Sequence, residues 1–190
     1  MRGDLKADFQ RYYDLLPPTH GRFEKIKFFV SCAGQWALVD YRFRKWLTTQ
    51  TKIVCVTLYW PSFFFHILVE TLTGIDLPTG TTIGKGFYIG HFGCIFISPL
   101  TTLGENCSIS QGVTLGLGGR GETLGSPVVG DNVYFGAGCK VLGKIKIGTK
   151  VRIGANAVVL QDVPDGATAV GIPARIIEAP KKPAEEPTSS

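Results

Sequence analysis

The sequence predicts a solenoid of short parallel β-strands preceded by an α-helical region. From residue 83 onwards, a branched aliphatic residue, usually followed by glycine, returns every six positions. The two parts of the chain also differ in composition: 21 of the 24 glycines lie between Gly74 and Gly171, whereas 15 of the 21 aromatic residues precede Gly74. We therefore expect a helical, aromatic-rich region over 1–75, a β-helix over 76–178 and a disordered tail over 179–190.

The first region is expected to contain several helices. A short amphipathic helix, ended by Pro17 and Pro18, fits the spacing of Leu5, Phe9, Tyr12, Tyr13 and Leu16. Residues 23–47 are consistent with a second helix. Residues 53–69 are uncharged, but they are fewer than the about 20 needed to span a bilayer, and Pro61 interrupts them. We expect two short helices there, interfacial or buried, whose apolar face meets either lipid or another subunit.

The positive charge of the chain lies within the helical region. Residues 20–52 carry seven basic and two acidic side chains, which account for the whole net charge of +5. A basic segment beside aromatic, apolar residues favours a membrane surface over nucleic acid as partner. A solvated basic helix face is the alternative.

The six-residue period predicts a short strand and a tight turn in each repeat, with three repeats closing one triangular coil. The aliphatic residue then points inwards, and a second inward slot holds small or slim side chains, namely Cys107, Val113, Val133, Cys139, Val151 and Ala157. Cys107 and Cys139 are thus expected to be core residues. We expect glycine to follow the aliphatic residue because the corner needs a backbone conformation that a side chain disfavours. The stretch from Leu115 to Val129 contains an eight-residue excursion, a glycine-rich loop.

The cysteines indicate neither disulfides nor a zinc site. They are five in number, widely spaced and without a CxxC pair. A reducing compartment fits this usage. The charged N-terminus shows no cleavable signal peptide.

One histidine within the repeats is a candidate general base. His91 occupies an outward position after Ile89 and Gly90, and its imidazole titrates near neutrality, so it can take the proton of an attacking hydroxyl. Asp76 lies fifteen residues upstream, near one full coil, and is expected to stack beside His91 and orient the ring. With a single histidine in the repeats, a zinc enzyme with three histidine ligands is not expected.

These residues resemble a known family. The repeats over about 80–163, closed by VLQDVPDGATAVGIPARII, resemble the left-handed parallel β-helix of hexapeptide-repeat acyltransferases. The segment GIDLPTGTTIGKGFYIGH, followed by SISQGVTLG, resembles the serine acetyltransferase family without gaps, and the likeness covers roughly residues 74–177. That family has an aspartate fifteen residues before its catalytic histidine. The resemblance implies direct transfer of acetyl from acetyl-CoA to a hydroxyl, with His91 as base and Asp76 as its partner.

Two departures from the serine acetyltransferases concern the acceptor pocket. Gly90 stands where that family has an acidic residue, and Ser126 lies where it has an Arg-His pair, so a zwitterion would lose charged contacts. The short, aromatic N-terminal region resembles the exopolysaccharide acetyltransferases of the colanic acid type. We therefore expect O-acetylation of a sugar hydroxyl in exopolysaccharide or cell-envelope glycan synthesis. The alternatives are serine O-acetylation in cysteine biosynthesis and, more distantly, a catalytically inactive membrane scaffold.

The resemblance also implies the donor site and the assembly. The family binds coenzyme A in a groove between adjacent subunits of a trimer, and the matching positions are Gly116, Ala137 and Ala155, with Gly118 as a further candidate. Lys150 and Arg152 are candidates for the coenzyme's phosphates, with a solvated coil edge as the alternative. We expect a homotrimer or a dimer of trimers, peripheral on the cytoplasmic face of the membrane, without a metal and without nucleic acid.

Overall fold

The computed structural model describes residues 2–14 and 21–178, and their order along the chain is four helices followed by a coil of short strands. The helices are α1 (Arg2–Tyr13), α2 (Arg22–Ser31), α3 (Ala33–Leu47) and α4 (Lys52–Thr73). A left-handed Gly74, with φ of 62°, ends α4, and the first strand begins at the next residue. The expected disordered tail, 179–190, lies outside the described residues.

The strands form three sheets, which are the three faces of the coil. The first face contains β1 (Ile75–Asp76), β4 (Ile95–Ile97), β7 (Thr114–Gly116), β10 (Lys140–Leu142) and β13 (Val158–Val159). The second face contains β2 (Thr82–Ile83), β5 (Thr102–Leu103), β8 (Val128–Val129) and β11 (Lys146–Ile147). The third face contains β3 (Tyr88–Ile89), β6 (Ser108–Ile109), β9 (Tyr134–Phe135), β12 (Arg152–Ile153), β14 (Thr168–Val170) and β15 (Arg175–Ile177). All pairs are parallel except that of β14 with β15, which is antiparallel and covers the C-terminal edge.

The register between coils confirms the expected repeat. Val129 pairs with Ile147 and Phe135 with Ile153, so these coils contain 18 residues, or three repeats of six. Leu103 pairs with Val129, a separation of 26, which locates the eight-residue excursion between β7 and β8. The excursion leaves the coil as a loop that contains a short 3₁₀-helix, Gly121–Thr123.

The coil interior is aliphatic, as the sequence predicted. The inward residues from Ile83 to Val159 are at most 5% exposed, and so are the members of the second slot. Cys107 and Cys139 are fully buried, and burial raises their thiol pKa to about 11 and about 12, so both stay protonated core residues. Each buried aliphatic side chain contributes about 1.5–3 kcal/mol, and the stacking of coils repeats this contribution.

The glycines after the inward residues have a different physical reason from the one expected. Left-handed conformations occur elsewhere in the corners, for example at Asn132 and Lys150. Gly136 has no positive φ, but a Cβ there would lie 2.6 Å from the backbone nitrogen of Ala155 in the next coil. Apart from Gly90, these glycines are needed because adjacent coils approach closely, and the prediction of a special backbone conformation was wrong.

Side chains of the helices cover the first edge of the coil. The Tyr12 hydroxyl accepts a hydrogen bond from the Ile89 amide at 2.9 Å, and Asp8 accepts one from the Phe87 amide at 2.9 Å. Arg42 donates to the Ile83 carbonyl at 2.7 Å and is paired with Asp8. A sheet edge has unpaired backbone groups, and these contacts satisfy them while holding the helices on the coil.

Two expectations for the helical region were wrong. The segment from 23 to 47 is broken at Cys32, whose extended conformation separates α2 from α3. Residues 53–69 form part of one continuous helix, α4, although Pro61 lies within it. Proline removes one helical hydrogen bond, to the carbonyl of Thr57, and both residues lie on the exposed side of α4, where that carbonyl can meet water.

Candidate active site

His91 lies in a two-residue bulge at the corner between the third and first faces. Gly90 donates to the Ile109 carbonyl, whereas Gly112 donates to Gly93, so His91 and Phe92 are extra relative to the coil below. Cys94 then takes the left-handed conformation that Gly112 has at the same corner. The bulge lengthens this coil to 20 residues, and it exposes the imidazole outside the regular stack.

The imidazole borders a small pocket between the coil and the helices. The pocket has a volume of about 240 Å³ and is lined by Phe28, Ser31, Cys32, Ala33, Gly34, Tyr88, Gly90, His91 and Phe92. Gly34 permits the close packing, because a Cβ there would lie 2.7 Å from the Ile89 carbonyl oxygen. The break between α2 and α3 therefore supplies one wall of the site. The sequence alone does not predict this wall of the pocket, since only the fold brings Cys32 and Tyr88 beside His91.

Asp76 lies on the first face and lines a different pocket. That pocket, of about 410 Å³, also involves Ile67, Glu70, Thr71 and Gly74. Burial raises the pKa of Asp76 above that of an ordinary carboxyl group, and the Glu70 carboxylate adds to the rise, whereas His66 and Arg44 oppose it. Asp76 is thus easier to protonate than an exposed aspartate.

The expected stacking of Asp76 beside His91 is wrong within one protomer. Asp76 pairs in register with Phe96, because a regular coil already contains 18 residues and the bulge adds two, so fifteen residues fall short of one coil. Within the part of the chain that the structure describes, no hydrogen bond or ion pair joins the two side chains.

A network that the sequence did not predict lies near Asp76. His66 Nδ1 lies 3.0 Å from Asp40 Oδ2, and its Nε2 lies 3.4 Å from Glu70 Oε2. Arg44 pairs with the same Asp40 oxygen at 2.8 Å. Helix spacing relates Asp40 to Arg44 and His66 to Glu70, but only the packing of α3 on α4 joins the two pairs. This network fixes α4 on the helical layer.

The corner that holds His91 also holds two of the expected donor-site residues. The position of Gly93 is occupied in successive coils by Gln111, Ala137 and Ala155, which follow β6, β9 and β12. The exposed Gln111 and Ala155, with the half-buried Ala137, therefore form a column that leads away from His91 along one edge of the coil.

The remaining donor-site candidates lie at other corners. Gly116 ends β7, and Gly118 begins the loop between the first and second faces. Lys150 occupies the corner between the second and third faces with φ of 58°, and the Arg152 guanidinium lies over the Tyr134 ring at 5.6 Å. A single protomer does not bring these four residues to the corner of His91.

The two acceptor-pocket candidates are also separated. Gly90 lines the His91 pocket, whereas Ser126 is buried between the first and second faces with its Oγ 2.8 Å from Ser98 Oγ. Among the described residues, no group of three His, Cys, Asp or Glu side chains is arranged to hold a metal ion.

Comparison with known proteins identifies relatives over most of the chain. The family model of the bacterial transferase hexapeptide (six repeats) matches residues 126–161. A serine acetyltransferase from Synechococcus elongatus is 39% identical over 173 residues, which are 91% of this chain and 67% of that protein. One from Staphylococcus aureus strain Mu50 is 38% identical over 179 residues, 94% of this chain and 78% of that protein.

Solved structures agree with these relatives. A serine acetyltransferase from Brucella abortus strain S19 in complex with coenzyme A has a TM-score of 0.76 at 28% identity, covering 93% of this chain and 67% of that chain. A serine acetyltransferase in complex with cysteine has a TM-score of 0.76 at 30% identity, covering 93% and 69%. The expectation of a sugar acceptor is therefore wrong, and a special closeness to the exopolysaccharide branch is not supported. Gly90 and Ser126 depart from the pattern of serine acetyltransferases, but two positions do not outweigh 38–39% identity over most of the chain.

Proposed function

We propose that this chain, which belongs to the serine acetyltransferase family of hexapeptide-repeat transferases, transfers an acetyl group from acetyl-CoA to the hydroxyl of L-serine. It is an acetyl-CoA-dependent acyltransferase. The observation that carries the proposal is identity of 38–39% with serine acetyltransferases over 91–94% of the chain. The acceptor, the roles of individual residues and the assembly are our inferences.

In the proposed reaction His91 is the general base. As the serine oxygen attacks the thioester carbonyl, its proton passes to the imidazole, and the C–S bond then breaks. The leaving thiolate of coenzyme A takes the proton from the imidazolium, so His91 returns to its neutral form and no acyl-enzyme is formed. The bulge supports this role, because it places the ring outside the regular stack at the mouth of a pocket.

Asp76 is proposed to stabilise the imidazolium that forms on His91. The support is the fifteen-residue spacing shared with the family and the position of both residues near the start of the coil. Because the two side chains are not hydrogen bonded within one protomer, Asp76 acts at longer range or through a second protomer.

The donor is proposed to lie along the corner column of Ala137 and Ala155, with its thioester at His91. Small side chains leave room there for an extended ligand. Gly116, Gly118, Lys150 and Arg152 lie at other corners, so they are proposed to contact the donor only from an adjacent protomer. Accordingly we infer a left-handed coil and a homotrimer, to which the likeness to serine acetyltransferase structures points. The free cysteines and the use of acetyl-CoA favour the cytoplasm.

The test is thiol release from acetyl-CoA in the presence of L-serine, with O-acetylserine identified by mass spectrometry. L-Alanine, which lacks the hydroxyl, is the matched control acceptor. We expect turnover with L-serine alone, and we expect His91→Ala to lower kcat by about 10²–10⁴, the usual effect of losing a general base. His20→Ala, at the histidine that precedes α2, is the control variant rather than His66→Ala, because His66 acts on the pKa of Asp76.

Two results would contradict the proposal. A folded protein that binds acetyl-CoA but does not acetylate L-serine refutes the acceptor. A His91→Ala variant that keeps more than about a tenth of the wild-type rate refutes the assignment of the base.

A further inference from the structure

Helix α4 has a broad apolar surface that the described part of the chain leaves uncovered. Between Ile53 and Leu72 the exposed positions of α4 are uncharged except for the one acidic side chain in this range, Glu70, which is 45% exposed and paired with His66. The most exposed apolar side chains of α4 include Val56, Trp60 and Phe64, and Trp60 is 60% exposed. Contiguous apolar surface of this kind marks an interaction site, because single exposed apolar residues are common but a whole helix face is not.

Helix α2 extends this surface. Phe23, Ile26 and Val30 lie on one side of α2, at helical spacing, and all three are exposed. Between α2, α3 and α4 a cavity of about 270 Å³ is lined only by apolar side chains, namely Phe29, Val30, Trp36, Val39, Phe65, Leu68, Val69 and Leu72. We call the exposed apolar side chains of α2 and α4 the apolar helix surface.

The charges beside this surface are mostly positive. Lys25 and Lys27 of α2 and Lys52 at the start of α4 are exposed. Three other basic residues of the segment that suggested membrane binding, Arg42, Arg44 and Lys45, have internal partners. Arg42 is buried with Asp8, and Lys45 donates to the Thr79 carbonyl at 2.7 Å. Among the side chains that the structure describes, the basic margin therefore consists of these three lysines, with Glu24 of α2 beside them, rather than of the whole segment.

We propose that the apolar helix surface binds a lipid bilayer that contains anionic headgroups, with α4 lying parallel to the membrane plane. The 22 residues of α4 extend about 33 Å. By length and composition α4 could cross a membrane, and most of its apolar stretch is not buried by the described part of the chain. A spanning orientation is opposed by His66, which is paired with Asp40, and by Glu70, which is paired with His66, since both side chains would enter the hydrocarbon.

Three features favour lipid over a second protein as the occupant. Tyr59 and Trp60 have both an apolar ring and a polar tip, which suits the boundary between headgroups and acyl chains. The lysines at the margin complement anionic headgroups. The cavity is lined by apolar side chains, and Val30, Leu68 and Leu72 of this lining belong to the apolar helix surface, so an acyl chain can enter it. Together they fit an interfacial helix with a cationic margin.

Co-sedimentation with vesicles tests the proposal on the full chain. Vesicles of phosphatidylcholine with phosphatidylglycerol are compared with vesicles of phosphatidylcholine alone. We expect binding to the anionic vesicles that weakens as salt is added, since exposed charges are screened. Trp60→Glu with Phe64→Glu should abolish binding, and Lys25→Glu with Lys27→Glu should remove the preference for phosphatidylglycerol. Leu100→Glu, at an exposed apolar site on the coil that is 69% exposed, is the matched control and should bind normally.

Lipid-borne quenchers give a second readout. Vesicles with brominated acyl chains should quench wild-type tryptophan fluorescence, and Trp60→Phe should remove most of that quenching. The proposal is overturned if folded wild-type protein binds neither vesicle or if the Trp60→Glu, Phe64→Glu variant binds like wild type. It is also overturned if this variant instead breaks a larger assembly seen without vesicles, because the surface then joins copies of the chain. Thiol release measured on the same samples separates this outcome from failure of the proposed acetyl transfer.

Discussion

His91 and Ala155 lie at the same corner of the coil, three coils apart. The strands that precede this corner, from β3 to β12, pair in register, so the corner runs as one straight edge. Adjacent strands lie about 4.8 Å apart, and the two residues are thus separated by about 14 Å along the coil axis. A thin, extended donor can lie along this edge with its reacting end at His91. The sequence alone named both residues, but only the register shows that they belong to one edge.

The first prediction concerns the donor edge. Ala155→Trp should fill the edge and raise the KM for acetyl-CoA by about tenfold, equivalent to about 1.4 kcal/mol of binding. The KM for L-serine and the fold should change little, because Ala155 is exposed. Steady-state kinetics with circular dichroism measure both. Thr102→Trp, at an exposed position within the second face, is the matched control. Equal effects from both variants would show that the donor does not follow the edge of His91.

The coil interior could be predicted from the sequence, whereas the site geometry could not. Inward residues such as Phe135 are fixed by a period that each coil repeats. The two extra residues of the first coil are different. In the sequence the six-residue period ends at Ile95 and resumes at Ile97, which suggests that the insertion lies there. The structure places it at His91 and Phe92. A count of residues cannot locate an insertion within a strand-corner unit. The placement of Cys32 against Tyr88 likewise depends on packing between distant segments.

Asp76 gives a prediction about pH. Its pKa is raised by burial and by Glu70, so the ionised form is less favourable in the folded chain than in the unfolded one. Ionised Asp76 therefore lowers stability at neutral pH, and this cost is relieved as the pH falls through its folded pKa towards about pH 4. Asp76→Asn should be at least as stable as wild type at neutral pH but less active. The wild type should gain stability relative to it on acidification.

The measurements are thermal unfolding and kcat across that pH range. Glu70→Gln is the companion variant, because it removes one cause of the raised pKa of Asp76. In this variant the gain of stability on acidification should begin at a lower pH than in the wild type. If Asp76→Asn unfolds at a lower temperature than wild type at neutral pH, the ionised carboxylate stabilises the fold and the pKa of Asp76 is not raised, whereas an unchanged kcat would show that Asp76 does not assist His91.

The ion pair of Asp8 with Arg42 predicts how firmly the helices are held on the coil. Asp8 is fully buried and Arg42 nearly so, and together they contact Phe87 and Ile83 at the coil edge. Asp8→Asn leaves the guanidinium buried without its counter-charge, which should cost about 3–5 kcal/mol of unfolding free energy. Denaturant unfolding measures the change, with the exposed Asp14→Asn as control. A loss below about 1 kcal/mol, the range of exposed pairs, would show that water reaches Arg42.

The last prediction concerns the acceptor. Gly90 lacks the acidic side chain that serine acetyltransferases have before their catalytic histidine, so this chain should bind the serine ammonium group weakly. A Cβ at Gly90 would lie 3.3 Å from the Tyr88 ring and its φ is not positive, so a side chain fits after a small movement of that ring. A charged hydrogen bond contributes about 1.5–3 kcal/mol, and Gly90→Asp should therefore lower the KM for L-serine about tenfold or more with little change in kcat.

Gly90→Asn has the same size without the charge and should have a much smaller effect. If both variants lower KM equally, shape rather than charge limits serine binding, and if neither does, the ammonium group lies away from Gly90.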